Sequence, residues 1–192
     1  MSGYSFELKP FSNPSRDGWV GSVGEFGEVT IHYERAFSRK ETIGQARLYG
    51  PGFPDGLFRG KGSGMPSLRD PYMFVDGERV EVSYNTLGLR RSARALRMEF
   101  RDCSYTYTSL GINKKSELIR PGVKITVGPG QRLSKSHNEL AVTGRVQGEA
   151  SPVDLAFALI FEAVDTSSLT LGGVAMMAPL NFLQMKSDGG EA

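Results

Sequence analysis

The sequence predicts a mainly β protein, an antiparallel barrel closed around one apolar helix near the end of the chain. Segments with alternating apolar and polar residues, such as 29–33, recur along the chain, as in strands with one buried face. Twenty-four glycines and ten prolines are spread throughout, which is typical of many turns between short strands. The seven residues 155–161 are all apolar, and a helix that is apolar on every side has to be buried on every side.

That apolar run is predicted to form a helix over about 152–164. Ser151 can cap its start, Pro152 suits the first helical position, and Asp154 completes the pattern. Only one residue of the run is β-branched, which favours helix over strand. A bilayer span needs about 20 apolar residues, so the nearby Asp154 and Glu162 argue against a membrane helix.

Length and charge limit the classes of protein that fit. The 192 residues are predicted to form one domain over 1–185 and a disordered tail over 186–192. The formal charge of +2 argues against nucleic acid as a partner. The single cysteine, Cys103, can form no internal disulfide, and no secretion leader is recognisable. We therefore expect a cytoplasmic protein, peripheral at a membrane if it binds lipid.

The first third of the chain is predicted to hold strands at 4–8, 29–33 and 46–49. A turn-rich connection is predicted over 10–18. Residues 50–67 contain six glycines and three prolines, a composition that predicts an irregular loop.

Two hairpins are predicted further on. Asp76-Gly77 supplies the positive φ angles of a tight turn between two strand-like segments. Pro121-Gly122 gives the second hairpin, which residues 128–130 are expected to end. A last strand over 140–146 precedes the helix.

Residues 89–107 fit two patterns. Positions 89, 93, 96 and 100 have helical spacing, whereas alternation from about 94 onward favours a strand. We prefer the strand, with a β-bulge near Arg101 to account for a slip in the alternation.

Three stretches resemble the tubby-like superfamily, which includes the phospholipid scramblases. They are RMEFR at 97–101 leading to YTY at 105–107, the hairpin 117–127, and the segment 140–165. The resemblance implies a closed barrel threaded by the helix, binding of anionic phospholipid head groups or a scaffold role, and no conventional active site. The chain departs from it in an apolar segment, 169–185, beyond the helix. It also lacks a cysteine cluster for lipid attachment and an Asp-rich calcium loop, so lipid scrambling is not expected.

No motif predicts a cofactor or a metal. Residues 56–61 fail the phosphate-loop pattern, because Gly62 follows Lys61 where Ser or Thr is required. His32 and His137 have no zinc spacing. We expect His32 on the solvent side of its strand and Cys103 as a small buried residue.

A cluster of basic residues is the candidate ligand-binding site. Arginine heads suit phosphate binding, and few acidic residues interrupt this run. The candidate residues are Arg90, Arg91, Arg94, Arg97, Arg101 and Lys61. A solvated strand face paired with nearby carboxylates is the alternative explanation.

The sequence therefore predicts a non-enzymatic protein that binds an anionic ligand or lipid surface. One alternative is a small-molecule carrier with an open barrel cavity, which requires the apolar helix to lie outside the barrel. The other is an enzyme of unrecognised type, with a cleft that joins His32 or His137 to a carboxylate. The segment 169–185 is expected to dock within the protein, in a homodimer or on a protein partner.

Overall fold

The computed structural model describes residues 3–34, 42–62, 64–85, 94–109, 115–132 and 140–170. They form a closed barrel of twelve antiparallel strands, in which each strand pairs with the next and the last pairs with the first. The predicted fold class is confirmed. The strands are β1 Gly3–Ser12, β2 Arg16–Ser22, β3 Glu28–Glu34, β4 Thr42–Gly50, β5 Phe53–Gly62, β6 Arg69–Val75, β7 Glu78–Ser83, β8 Leu96–Phe100, β9 Cys103–Ser109, β10 Ser116–Arg120, β11 Val123–Arg132 and β12 Leu140–Gln147.

The two ends of the barrel differ in the length of their connections. Because the strands run up and down in chain order, successive connections alternate between the ends. At one end, the turn end, four of the five connections are two-residue turns: Pro51-Gly52, Asp76-Gly77, Arg101-Asp102 and Pro121-Gly122. At the other end, the cavity end, only the three-residue connection 13–15 is short, and the others span 35–41, 63–68, 84–95, 110–115 and 133–139.

The helix α1, Pro152–Ile160, enters the barrel from the turn end. The hydroxyl of Ser151 accepts a hydrogen bond from the Asp154 backbone N–H at 3.3 Å, and the Asp154 carboxylate accepts one from the Ser151 N–H at 2.6 Å. Arg120 at the end of β10 donates two hydrogen bonds to the same carboxylate, at 2.7 and 2.6 Å. This partly buried bidentate pair fixes the start of the helix against the barrel wall.

The apolar helix lies inside the barrel, as predicted. Residues 155–161 are all buried. The Phe161 ring centroid lies 5.8 Å from that of Phe58 on β5 and 4.6 Å from that of Tyr107 on β9. Since β5 and β9 lie apart around the barrel, only an interior helix can meet both. The carrier alternative, which placed the helix outside, is wrong in this respect.

The helix is shorter than the predicted 152–164. Its α-helical part ends at Ile160, and residues Phe161–Ala163 continue as a tighter 3-10 turn. Such a turn satisfies backbone groups that the last α-helical turn leaves unpaired.

The structure confirms two predicted strands, at 29–33 and 140–146, and the two predicted hairpins, at Asp76-Gly77 and Pro121-Gly122. Asp76 and Gly77 have φ angles of 50° and 77°, as this kind of turn requires. Strand is also the correct choice for the described part of 89–107, although residues 86–93 lie outside the described ranges. The strands predicted at 4–8 and 46–49 extend over β1 and β4.

The prediction of an irregular loop over 50–67 is wrong, because β5 occupies most of it. Its glycines serve close packing. A Cβ on Gly56 would lie 3.3 Å from Ile160 of the helix, and one on Gly60 would overlap the Ser67 carbonyl oxygen. Glycine content here reflects crowding between chain segments, a recognised reason for glycine within a strand.

Three smaller expectations are also wrong. Arg101 does not belong to a bulge but, with Asp102, forms a tight turn in which both have positive φ angles, 46° and 61°. Residues 128–130 do not end β11, which continues to Arg132 past an irregularity after Pro129. The connection expected over 10–18 is mostly strand, with only 13–15 left between β1 and β2.

No helix among the described residues has the length and apolar character needed to cross a membrane. Nearly all of the segment 169–185 and the whole of 186–192 lie outside the described ranges.

Candidate functional site

A cavity of about 580 Å³ opens at the cavity end, where the chain leaves the helix. Its walls come from β2, β3, β9, β10, β11 and β12 and from the segment after α1. A space of this size suits a small molecule. It lies above the helix rather than beside it, since the helix fills the barrel below.

Glu162 is the polar group that follows the apolar helix directly, and it lines the cavity. One of its carboxylate oxygens accepts a hydrogen bond from the Ser116 hydroxyl at 3.2 Å. Burial raises the pKa of Glu162 to about 7, and the Ser116 hydrogen bond opposes this effect. Near neutral pH this carboxyl is therefore present in both its protonated and its ionised form.

Hydroxyl groups surround this carboxyl. Burial raises the pKa of the Tyr107 phenol, as does the neighbouring Glu162, while hydrogen bonds with Ser116 and Thr166 act the other way. Tyr107 therefore remains a neutral donor and acceptor at physiological pH. Its position is set by β9, whose residues alternate between core and surface.

The opposite wall belongs to β2 and β3. Tyr33 donates a hydrogen bond to the Asp17 carboxylate at 3.3 Å, and the Trp19 indole N–H donates one to the Leu140 carbonyl at 2.9 Å. These contacts hold one acidic and two aromatic side chains in fixed orientations around the opening.

The segment after the helix is attached to the rim. The Asp165 N–H donates to the Pro66 carbonyl at 2.7 Å, and Asp165 forms a parallel bridge with Ser67. The Asp165 carboxylate accepts a hydrogen bond from the Ser167 N–H at 2.9 Å. Both Asp165 and Ser167 line the cavity.

Arg94 is buried at the same end of the barrel, two residues before β8 begins. Only 5% of the residue is exposed. Among the described residues, neither Nε nor Nη1 of its guanidinium has a hydrogen-bond partner. A buried charge without acceptors is costly to the folded state.

The other candidate residues are spread over the barrel. Lys61 is exposed and pairs with Asp70 at 2.5 Å. Arg97 is exposed on the outer face of β8. Arg101 pairs with Glu78 at 2.7 Å at the turn end. The structure thus places Lys61, Arg94 and Arg97 towards the cavity end and Arg101 at the opposite end.

Arg90 and Arg91 lie outside the described residues. By sequence they belong to the connection between β7 and β8, and both of those strands meet this connection at the cavity end.

The connections at the two ends differ in charge. By sequence, the cavity-end connections contain nine basic residues and two acidic ones. The basic ones are Arg35, Arg39, Lys40, Arg90, Arg91, Arg94, Lys114, Lys115 and Lys135, and the acidic ones are Glu41 and Glu139. The turn-end connections contain one basic residue, Arg101, and three acidic ones, Glu25, Asp76 and Asp102.

Neither histidine forms a described catalytic cleft. His32 is only 3% exposed, its ring lies 5.8 Å from that of Tyr49, and burial lowers its pKa, with Arg16 adding to the effect. The expectation of a solvated His32 is therefore wrong, because Tyr49 covers it. His137 lies outside the described residues.

Cys103 was expected in the core but is exposed. It pairs with Phe100 across the tight Arg101-Asp102 turn, where a short side chain reaches the surface. Within the described ranges, no group of three or more His, Cys, Asp or Glu residues is arranged to hold a metal ion.

Sequence reasoning missed the cavity and its carboxylates. One available signal was Glu162 itself, an acidic residue placed immediately after a helix that must be buried. The contributions of Asp17 and Ser116 depend on strand register and could not be seen in the sequence.

The fold and the site together define an antiparallel barrel filled by a helix, with a ligand-sized cavity at the end where the helix emerges. Comparison with known proteins gives no match: no protein-family model fits the chain, and no curated protein or solved structure is significantly similar to it.

Proposed function

We propose that this is a non-enzymatic binding protein that recognises an anionic phosphate group, that of a phospholipid head group, at the cavity end of its barrel. In the cell it would be cytoplasmic and would associate peripherally with membranes. The proposal combines one buried group with the charge of the surrounding connections.

Arg94 carries the proposal. Its guanidinium is buried, and two of its nitrogens lack acceptors among the described residues. Phosphate oxygens match the planar donor fork of arginine. A bound phosphate would supply the missing acceptors and offset the cost of burying the charge.

The basic excess of the cavity-end connections also favours the cavity end as the face that binds the membrane. Clustered basic residues are attracted to anionic lipid surfaces at roughly 1 kcal/mol each near the surface. The acidic turn end would be repelled. This arrangement orients the barrel with its cavity end towards the membrane.

The architecture adds support of a general kind. A closed twelve-strand barrel with one short helix is compatible with the tubby-like fold that the sequence resembles. Membership of that superfamily is part of the proposal, and lipid head-group binding is the function that it would bring.

Co-sedimentation with vesicles tests the proposal. The vesicles consist of an uncharged galactolipid, with or without phosphatidic acid, so that neither lipid carries an ammonium group. We expect binding only when phosphatidic acid is present, and weaker binding at moderate salt than at low salt. Arg94→Gln should weaken binding about tenfold or more, since hydrogen bonds to charged groups contribute roughly 1.5–3 kcal/mol.

Arg101→Gln is the matched control, because it removes the same charge at the opposite end of the barrel. If both variants lose vesicle binding equally, the effect comes from net charge alone and the proposed site at Arg94 is wrong. Thermal shifts with inorganic phosphate distinguish a free phosphate ligand from a lipid surface. Wild-type protein that ignores both phosphatidic acid and phosphate would contradict the proposed function.

A further inference from the structure

The described lining of the cavity differs in charge from the sequence of the connections at the same end of the barrel. Three carboxylates line it, those of Asp17, Glu162 and Asp165. Among the described residues that line it, none is a lysine, an arginine or a histidine. Among the described lining residues an anion would meet only like charge, which favours a ligand of a different class from the one proposed for Arg94.

Burial strengthens the preference for a positive ligand. Glu162 lies deep enough for its pKa to rise to about 7, and its hydrogen bond from Ser116 is at 3.2 Å. A cation beside it would favour the ionised carboxylate and remove part of the cost of burial. The C-terminal end of α1, just before Glu162, adds a partial negative charge of the same sign.

The aromatic lining indicates an organic cation rather than a bare metal ion. Trp19, Tyr33, Tyr107 and Phe161 all line the cavity. Aromatic faces attract ammonium groups through their electron-rich surfaces, most strongly for tryptophan. The described residues offer no cluster of metal ligands.

We infer that this cavity binds a small organic ammonium ion, with Glu162 as its main counter-charge and Trp19 as part of its aromatic wall. The site is separate from the phosphate site of the proposed function and does not depend on it. The ligand enters at the cavity end and rests above the helix, with the hydroxyls of Ser116 and Tyr107 beside Glu162.

Trp19 makes the inference directly measurable. It is the only tryptophan of the chain, so intrinsic fluorescence reports on the cavity wall. We expect choline to change Trp19 emission with a saturable curve. Its neutral carbon isostere dimethylbutanol, which has the same shape without the charge, should bind at least about tenfold more weakly.

Variants then assign the counter-charge. Glu162→Gln should weaken the choline response about tenfold or more. Glu117→Gln is the matched control, because Glu117 lies next to Ser116 on β10 but pairs with Lys124 outside the cavity. Arg94→Gln should leave the choline response unchanged, which separates this inference from the proposed function.

Three results would overturn the inference. The first is equal affinity for choline and dimethylbutanol, which would make the cavity an apolar site. The second is an emission change that sodium chloride reproduces at the same ionic strength, and the third is an unaltered choline titration in Glu162→Gln. If that variant fails to fold, the wild-type comparison of choline with its isostere decides the matter alone.

Discussion

At the scale of single residues, two ionisable side chains of opposite charge, one buried and one partly buried, lie at the cavity end. Arg94 is 5% exposed, and Glu162 has a pKa raised by burial. Both arrangements cost stability in the free protein. A bound ligand of opposite charge would offset either cost. Each cost can be measured as a change in the free energy of unfolding of the ligand-free protein.

Arg94→Met should stabilise the free protein by about 1–3 kcal/mol, because an apolar side chain of similar length replaces a buried guanidinium in which two nitrogens lack acceptors among the described residues. Chemical denaturation in phosphate-free buffer measures the free energy of unfolding. Arg101→Met, on the exposed pair with Glu78, is the control and should change stability by less than about 0.5 kcal/mol. A loss of stability in Arg94→Met would mean that the guanidinium already has partners in the free protein.

Glu162 makes stability depend on pH in a defined direction. Its pKa rises from 4.5 to about 7 on folding, so the folded state binds a proton more tightly than the unfolded state. The associated stability is fully present below pH 4.5 and is lost as the pH rises through about 7. Glu162→Gln has no carboxyl to titrate, so its stability should not fall in this way. Its free energy of unfolding, relative to that of wild type, should increase by about 2 kcal/mol between about pH 5 and pH 8.

Denaturation curves at both pH values test this, with Glu117→Gln as the control carboxylate on the same barrel wall. A wild-type to Glu162→Gln difference that stays constant with pH would show that Glu162 titrates normally in the folded protein.

The residue scale also limits what the sequence could predict. The basic run in the sequence predicts a role for Arg94 only as one of several arginines on a strand. Arg94 lies two residues before β8, so the alternation of buried and exposed residues along the strand does not determine its environment. Its burial depends on tertiary packing at the cavity end, which the sequence pattern does not record.

At the scale of elements, β5 shows how packing overrides local preference. Its glycines predict an irregular loop, yet the strand is one of the longest in the barrel. A single-sequence pattern does not record that Ser67 or Ile160 will lie against those glycines. The Asp76-Gly77 turn and the Ser151 cap depend on residues close together in the sequence. They could therefore be predicted from it.

Gly60→Ala should destabilise the barrel by about 2 kcal/mol or more, because its Cβ would overlap the backbone oxygen of Ser67. Gly56→Ala is the control on the same strand, where the nearest atoms would be side-chain atoms at 3.3 and 3.4 Å. Its cost should be clearly smaller. Thermal unfolding of both variants gives the comparison, and equal costs would show that the Ser67 segment moves aside freely.

Phe157→Asp should prevent folding, since it places an unpaired charge where the ring now lies 4.7 Å from Tyr105 and 5.7 Å from Phe100. The cost of several kcal/mol approaches the total stability of a small domain. Circular dichroism and size-exclusion chromatography detect the loss. Ile43→Asp, at a site 73% exposed, is the tolerated control, and a cooperatively folded Phe157→Asp would remove the case for a helix-filled core.

At the scale of the whole molecule, the barrel has two chemically different ends. The connections where the helix enters are short turns with an acidic excess, and by sequence those at the end where it emerges are longer and have a basic excess. The fold class followed from the sequence because many residues contribute to it. The difference in charge between the two ends could not be predicted from the sequence, because that requires knowing which connection lies at which end.

The order of the strands also determines when the barrel can close during translation. β1 is made first, but its second neighbour is β12, and the helix that fills the interior follows β12. At roughly 5–20 residues per second, the ribosome takes on the order of ten seconds to travel from the first strand to the helix. During that interval the nascent chain holds open strand edges and an unfilled apolar interior. Translation of β12 and the helix therefore ends the exposure of these strand edges and of the apolar interior to aggregation and chaperones.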